Sequence, residues 1–92
     1  MTRTARVPTE KGSRYLQQLC KHWSHKFETA FDETQGHVDL PMGRAAMVAE
    51  PDALVVTLTV DDPEKVTRME EVVASHLDRF AFREGPLAFD WN

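Results

Sequence analysis

Within one short stretch, Thr9 to Phe31, a helical period gives way to a period of two, and that change constrains the fold more than anything else in the chain. At about 100° per residue, Tyr15, Leu16, Leu19, Cys20 and Trp23 fall on one arc of roughly 140°, opposite Arg14, Gln17, Gln18, Lys21 and His25. Thr9 reads as an N-cap, with Glu10 suited to the first turn. From Phe27 to Phe31 the period is two, the mark of a strand. An amphipathic helix running straight into a strand has to lay its apolar arc on a sheet.

The remaining segments repeat the theme. Thr4 to Val7 alternates and is stopped by Pro8; Asp32 to Gly36 reads as a hairpin turn with Gly36 at the positive-φ position. His37 to Met42 alternates again, and Pro41, which cannot donate to a ladder, predicts an edge or bulged strand there. Gly43-Arg44 reads as a turn, followed by strands over Ala45 to Glu50 and Leu54 to Val60, joined at Pro51-Asp52. Asp61 or Asp62 caps a second helix with Pro63 in its first turn, and Val66, Met69, Val73, Leu77 and Phe80 form its apolar stripe. Leu87, Phe89 and Trp91 alternate in a final strand after Gly85-Pro86. The expected fold is α+β: a two-layer sandwich with a mostly antiparallel sheet in the order β-α-β-β-β-β-α-β and both amphipathic helices on one face.

Ninety-two residues make one domain, spanning 1–92, with room for one modest core. A shallow groove or a partner-facing surface takes less of such a core than a deep enclosed site. The net charge of −4, from 11 basic and 15 acidic residues with interspersed signs, argues against nucleic acid. A single cysteine excludes an intrachain disulfide and suits a reducing cytoplasm. No apolar run approaches the roughly 18 residues of a membrane span, and the polar start has no secretory signal pattern. The expectation is a soluble cytoplasmic protein.

Chemistry, if present, centres on the histidines. Cys20, His22 and His25 invite a metal reading, but on a helix Cys20 and His22 diverge by about 200°, so Cys20 reads as a core residue. His22 and His25, three residues apart, share a helix face, yet two imidazoles make only half of a metal site. His76 lies at the same edge of its stripe as His22. A shift of 54 residues places Tyr15 on Met69, Leu19 on Val73 and His22 on His76, so a pseudo-twofold between antiparallel helices would bring the two imidazoles together as an acid–base pair or a two-ligand cluster. Such a meeting requires rings within roughly 8 Å of each other. Arg83-Glu84 presents an anion or partner contact, against the plainer reading of a surface salt bridge. Trp23 and Trp91 read as core or rim residues, with ring stacking as the alternative. There is no Gly-rich phosphate loop, no Gly-x-Ser-x-Gly, no Cys-x-x-Cys and no His-Glu-x-x-His. No cofactor is assigned, and nothing strongly supports an enzyme.

Three strings carry a family resemblance: Leu19-Cys20-Lys21-His22-Trp23-Ser24-His25-Lys26-Phe27, Gly36 to Gly43, and His76-Leu77-Asp78-Arg79-Phe80-Ala81-Phe82-Arg83-Glu84. From about Ala5 to Trp91 the chain resembles the bacterial family called domain of unknown function 2218. The resemblance implies no assigned activity. It does imply a setting beside siderophore and iron-uptake functions.

Three functions follow as expectations. The first is a binding or accessory module for a small molecule or protein, linked to iron or siderophore handling. The second is a metal-binding protein or small enzyme using His22, His25 and His76. The third is a homodimer or other self-assembly formed through an edge strand near Pro41 or Trp91.

Overall fold

The computed structural model describes residues 1–92. The elements run β1 (Thr2–Pro8), α1 (Gly12–Trp23), β2 (Glu28–Phe31), β3 (Gln35–Leu40), β4 (Gly43–Glu50), β5 (Ala53–Val60), a single 3₁₀ turn (Pro63–Lys65) and α2 (Val66–Phe80). The strands form one sheet in the order β1-β5-β4-β3-β2, antiparallel at every pairing. This is the expected α+β architecture, with both helices over one face.

Register explains which face they cover. Val7 pairs with Leu54, Ala5 with Val56, Met47 with Val56 and Val38 with Ala45, so one side of the pleat is continuously apolar. All of these residues are buried. Arg6, Val48, Thr57 and His37 stand on the alternate positions. No β-branched residue interrupts α1, whose Leu16, Leu19 and Cys20 are fully buried against the sheet. Each buried leucine contributes roughly 2–3 kcal/mol. The second helix is led in by Asp62, whose carboxylate accepts from the Glu64 amide at 3.0 Å, with Pro63 in the turn. Its Val66, Met69, Val73 and Leu77 complete the core.

Four details depart from expectation. Leu87, Phe89 and Trp91 form no strand: the tail makes one reciprocal backbone pair with the sheet, Thr4 with Asn92, at 2.9 and 3.0 Å. Their alternation reports one-sided burial, since all three pack partly buried against the core and Phe89 stacks on Trp91. Pro41 does not mark an edge. It lies with Met42 in the turn between β3 and β4, and β3 is an interior strand; the edges are β1 and β2. Gly43 opens β4 instead of turning the chain, and a Cβ there would stand 2.0 Å from the Thr59 carbonyl oxygen. Gly36 has no positive φ. It is required for close approach, because a Cβ would meet Phe31 Cβ at 2.7 Å and Cys20 Sγ at 3.1 Å, where α1 presses on the sheet. The turn itself is built by Asp32, whose carboxylate accepts from the amides of Thr34 and Gln35 at 2.8 and 3.0 Å.

The chain is also not a simple duplication, since α1 is followed by a strand and α2 is not.

Candidate functional site

The first helix stops at Trp23 because the chain turns back on its last carbonyls. Ser24 Oγ donates to the Lys21 carbonyl at 2.8 Å, and the amides of Lys26 and Phe27 both donate to the Trp23 carbonyl, at 3.1 and 2.9 Å. His22 is therefore on the last helical turn, and His25 lies in the turn after it instead of on the helix as its spacing suggested. Trp23 is buried, whereas His22 and His25 are exposed.

His76 comes to this end of α1 from the middle of α2. Its ring lies 5.4 Å from that of His22 and 4.8 Å from that of Trp23, centre to centre. Phe80 stands edge-on to His22 at 6.1 Å, and Phe27 edge-on to Trp23 at 6.3 Å. Aromatic pairs of this kind contribute about 0.5–1.5 kcal/mol each beyond area burial. The meeting of His22 and His76 across the helix seam thus occurs in the structure, well inside 8 Å, without a repeated half.

One contact fixes the chemistry of His76. Its Nδ1 is 2.7 Å from the Val72 carbonyl oxygen. A carbonyl only accepts, so Nδ1 carries a proton and, in the neutral ring, Nε2 presents a lone pair.

His22, His25 and His76 line one cavity of about 380 Å³, together with Lys26. Its apolar walls are Trp23 and Phe27 from the α1 end, Leu40 and Met42 flanking Pro41 in the β3–β4 turn, and Val72 from α2. Sharing a cavity is not sharing an ion. No three His, Cys, Asp or Glu side chains are placed to hold a metal. His22 and His76 present two imidazoles at most, half of a tetrahedral set. Cys20 stays outside the cavity, on the buried face of α1, where burial pushes its thiol up to about 11.

Arg83 and Glu84 separate. The Glu84 carboxylate accepts from Thr9 Oγ1 at 2.9 Å and from the Tyr15 hydroxyl, so it is engaged within the molecule and pairs with no arginine. Thr9 also accepts from the Lys11 amide at 3.1 Å, closing a turn ahead of α1; it is not the N-cap its sequence position suggested, because the helix begins only at Gly12 and Lys11 holds the cap position without a side-chain bond. Burial, then the Glu84 carboxylate, pushes the Tyr15 phenol up to about 12. Arg83 lies over the exposed ring of Phe82 at 5.7 Å and shares a small hollow with Lys11 and Arg14. Neither Thr9–Tyr15–Glu84 nor the Leu40–Met42 wall was foreseen from sequence.

The chain matches, over residues 4–92, the family model described as an uncharacterized protein conserved in bacteria (DUF2218). It belongs to that family. It is also similar to a solved structure, the NMR structure of PA4090 from Pseudomonas aeruginosa, with 35% sequence identity and a TM-score of 0.81. That similarity covers 99% of this chain and 94% of the other. Among curated proteins, none matches. The His22–Trp23–His76 seam therefore belongs to a small bacterial domain of the DUF2218 family, and no helix of it is long and apolar enough to cross a membrane.

Proposed function

We propose that this member of the family is a small-molecule-binding accessory module whose ligand enters the seam cavity between the end of α1, the Pro41–Met42 turn and α2. One observation carries the reading. Three histidines, a lysine and five apolar side chains from three separate elements converge on a concavity of about 380 Å³. That volume is at the low end of ligand sites, and an apolar wall with a few convergent polar groups is their usual make-up. The other hollows suit a ligand less. The groove along the outer face of α1 has no hydrophobic residue, and Arg44 in the hollow on the open sheet face is already held by Asp39 at 2.6 and 3.1 Å.

Iron or siderophore handling is one form of this reading, so ferric siderophores, haem and free metal ions belong among the ligands tried. Trp23 lines the cavity and serves as the reporter. In a Trp91→Phe variant, which leaves Trp23 as the sole tryptophan, ligand should cause a saturable fluorescence change that Val72→Phe, filling the cavity, abolishes. Absence of saturable change with every ligand up to about 1 mM, a free energy of about −4 kcal/mol, rejects the reading.

A second reading, contact with a protein partner, is favoured by Phe82. Its ring is 72% exposed beside Arg83, Lys11 and Arg14, an apolar anchor with a basic rim that suits an acidic surface. Phe82→Ser should leave the thermal midpoint in place and remove the capture of any partner that wild-type protein retains at low salt.

A further inference from the structure

We infer that the ligand of the seam cavity is an apolar acid, a compact aromatic or aliphatic body carrying a carboxylate. This rests on the seam cavity being the binding site.

The first ground is the sign of the charges. The ionisable groups lining the cavity are His22, His25, Lys26 and His76, and no aspartate or glutamate lines it. Acidic residues outnumber basic ones in the whole chain, 15 to 11, so an all-basic lining runs against the composition. The second ground is that no acid of the molecule pairs with these bases, and His76, whose Nδ1 is held by the Val72 carbonyl, keeps its Nε2 free. The ion pairs of the molecule are Arg3–Glu70, Arg6–Glu50, Arg6–Asp52 and Arg44–Asp39, and none involves a cavity residue. Lys26 and the imidazoles are thus free to meet an anion, and protonated imidazoles add donors that a carboxylate accepts.

The body of the ligand follows from the walls. A cationic ligand would face four bases and no acid. A strongly polar one would lose its hydration against Trp23, Phe27, Leu40 and Met42 with few partners in return. An apolar body placed on those walls, with its carboxylate turned out toward Lys26 and the histidine edge, meets both requirements. Lys26, His22 and His25 are exposed, so their contribution is screened by salt, which provides a handle for the test.

Three probes of one shape separate the charge from the body: 3-phenylpropanoate, 3-phenylpropanamide and 3-phenylpropylammonium, titrated into the full chain carrying Trp91→Phe and read by Trp23 fluorescence at about pH 6.5. The carboxylate should bind about tenfold or more tighter than the amide, a difference of roughly 1.4 kcal/mol, and the ammonium weakest. Raising the salt should erode that advantage without changing the amide. Lys26→Gln combined with His76→Gln should reduce the advantage below about threefold, while Lys26→Arg, which keeps the charge, retains it. Lys26 is on the surface, so Lys26→Gln alone provides a variant that folds if the double one does not. Amide or ammonium binding as tightly as the carboxylate overturns the inference and leaves the seam as a binding site. A carboxylate preference that survives both variants overturns it too, by placing the anion elsewhere. Failure of all three probes to bind overturns the inference; the cavity reading itself then falls only if the wider ligand set fails as well.

Discussion

Tyr15 and Glu84, 69 residues apart in the chain, meet in a hydrogen bond that ties the inner face of α1 to the segment following α2. The phenol donates, the carboxylate accepts, and Thr9 donates to the same carboxylate from the end of β1. A hydrogen bond to a charged acceptor contributes about 1.5–3 kcal/mol. Tyr15→Phe keeps the buried ring and removes only that donor, so urea unfolding should show a loss in this range. Combining it with Glu84→Gln should give less than the sum of the single losses, because both changes remove one bond. Additive losses would mean that the two side chains do not interact in solution.

Gly43 is the residue least open to substitution. Its φ is 152°, and an added Cβ would lie 2.0 Å from the Thr59 carbonyl oxygen and 3.0 Å from Val60 Cα, backbone atoms that cannot rotate away. Gly43→Ala must therefore push the start of β4 off the end of β5, where Gly43 pairs with Val60. The expected loss is roughly 3 kcal/mol or more, a large part of what a domain of this size has. Circular dichroism at 25 °C should show little or no cooperative transition. A variant within about 1 kcal/mol of wild type would disprove the registered approach of the two strands.

Cys20 and Tyr15 give the protein an alkaline limit. Burial raises the Cys20 thiol from 9.0 to about 11, and burial, followed by the Glu84 carboxylate, raises the Tyr15 phenol from 10.0 to about 12. Both folded-state values lie above the unfolded ones, so the fold holds these protons more tightly than the open chain does. Their contribution is complete below pH 9 and is lost as pH climbs through 11 and then 12. The stability difference between wild type and a Cys20→Ala/Tyr15→Phe variant should be constant below pH 9 and shrink above it, in urea midpoints taken pH by pH. At about pH 8 the native thiol should also resist a disulfide reagent until the chain unfolds, since the thiolate is the reactive form.

Periodicity made the helices and the five strands legible, because each buries one face and Tyr15, Leu19, Val73 and Leu77 repeat at that face's spacing. The same signal misled at Leu87, Phe89 and Trp91, where alternate burial accompanies an irregular tail held by Asp78, whose carboxylate accepts from the Leu87 amide at 2.8 Å. The approach of His22 to His76 was legible because both stand at the edge of an apolar stripe, and two stripes facing one sheet bring such edges together. The cavity wall from Leu40 to Met42 and the Thr9–Tyr15–Glu84 bonds were not legible. They join residues distant in sequence, and such contacts leave no local pattern. Pro41 illustrates the limit: the residue type excludes a ladder donor, and a turn satisfies that as well as an edge does.

His76 supplies a direct check on the site. Its Nδ1 proton is committed to the Val72 carbonyl one helical turn back, at 2.7 Å, while the ring packs 4.8 Å from Trp23. In the neutral ring, Nε2 must then be the lone-pair nitrogen, the atom that can accept from a ligand or take a proton beside a bound carboxylate. Long-range proton–nitrogen correlation spectra at about pH 8.5 should show His76 with Nδ1 protonated and Nε2 bare. Finding Nε2 protonated in His76 would break the Val72 contact and remove the acceptor from the seam.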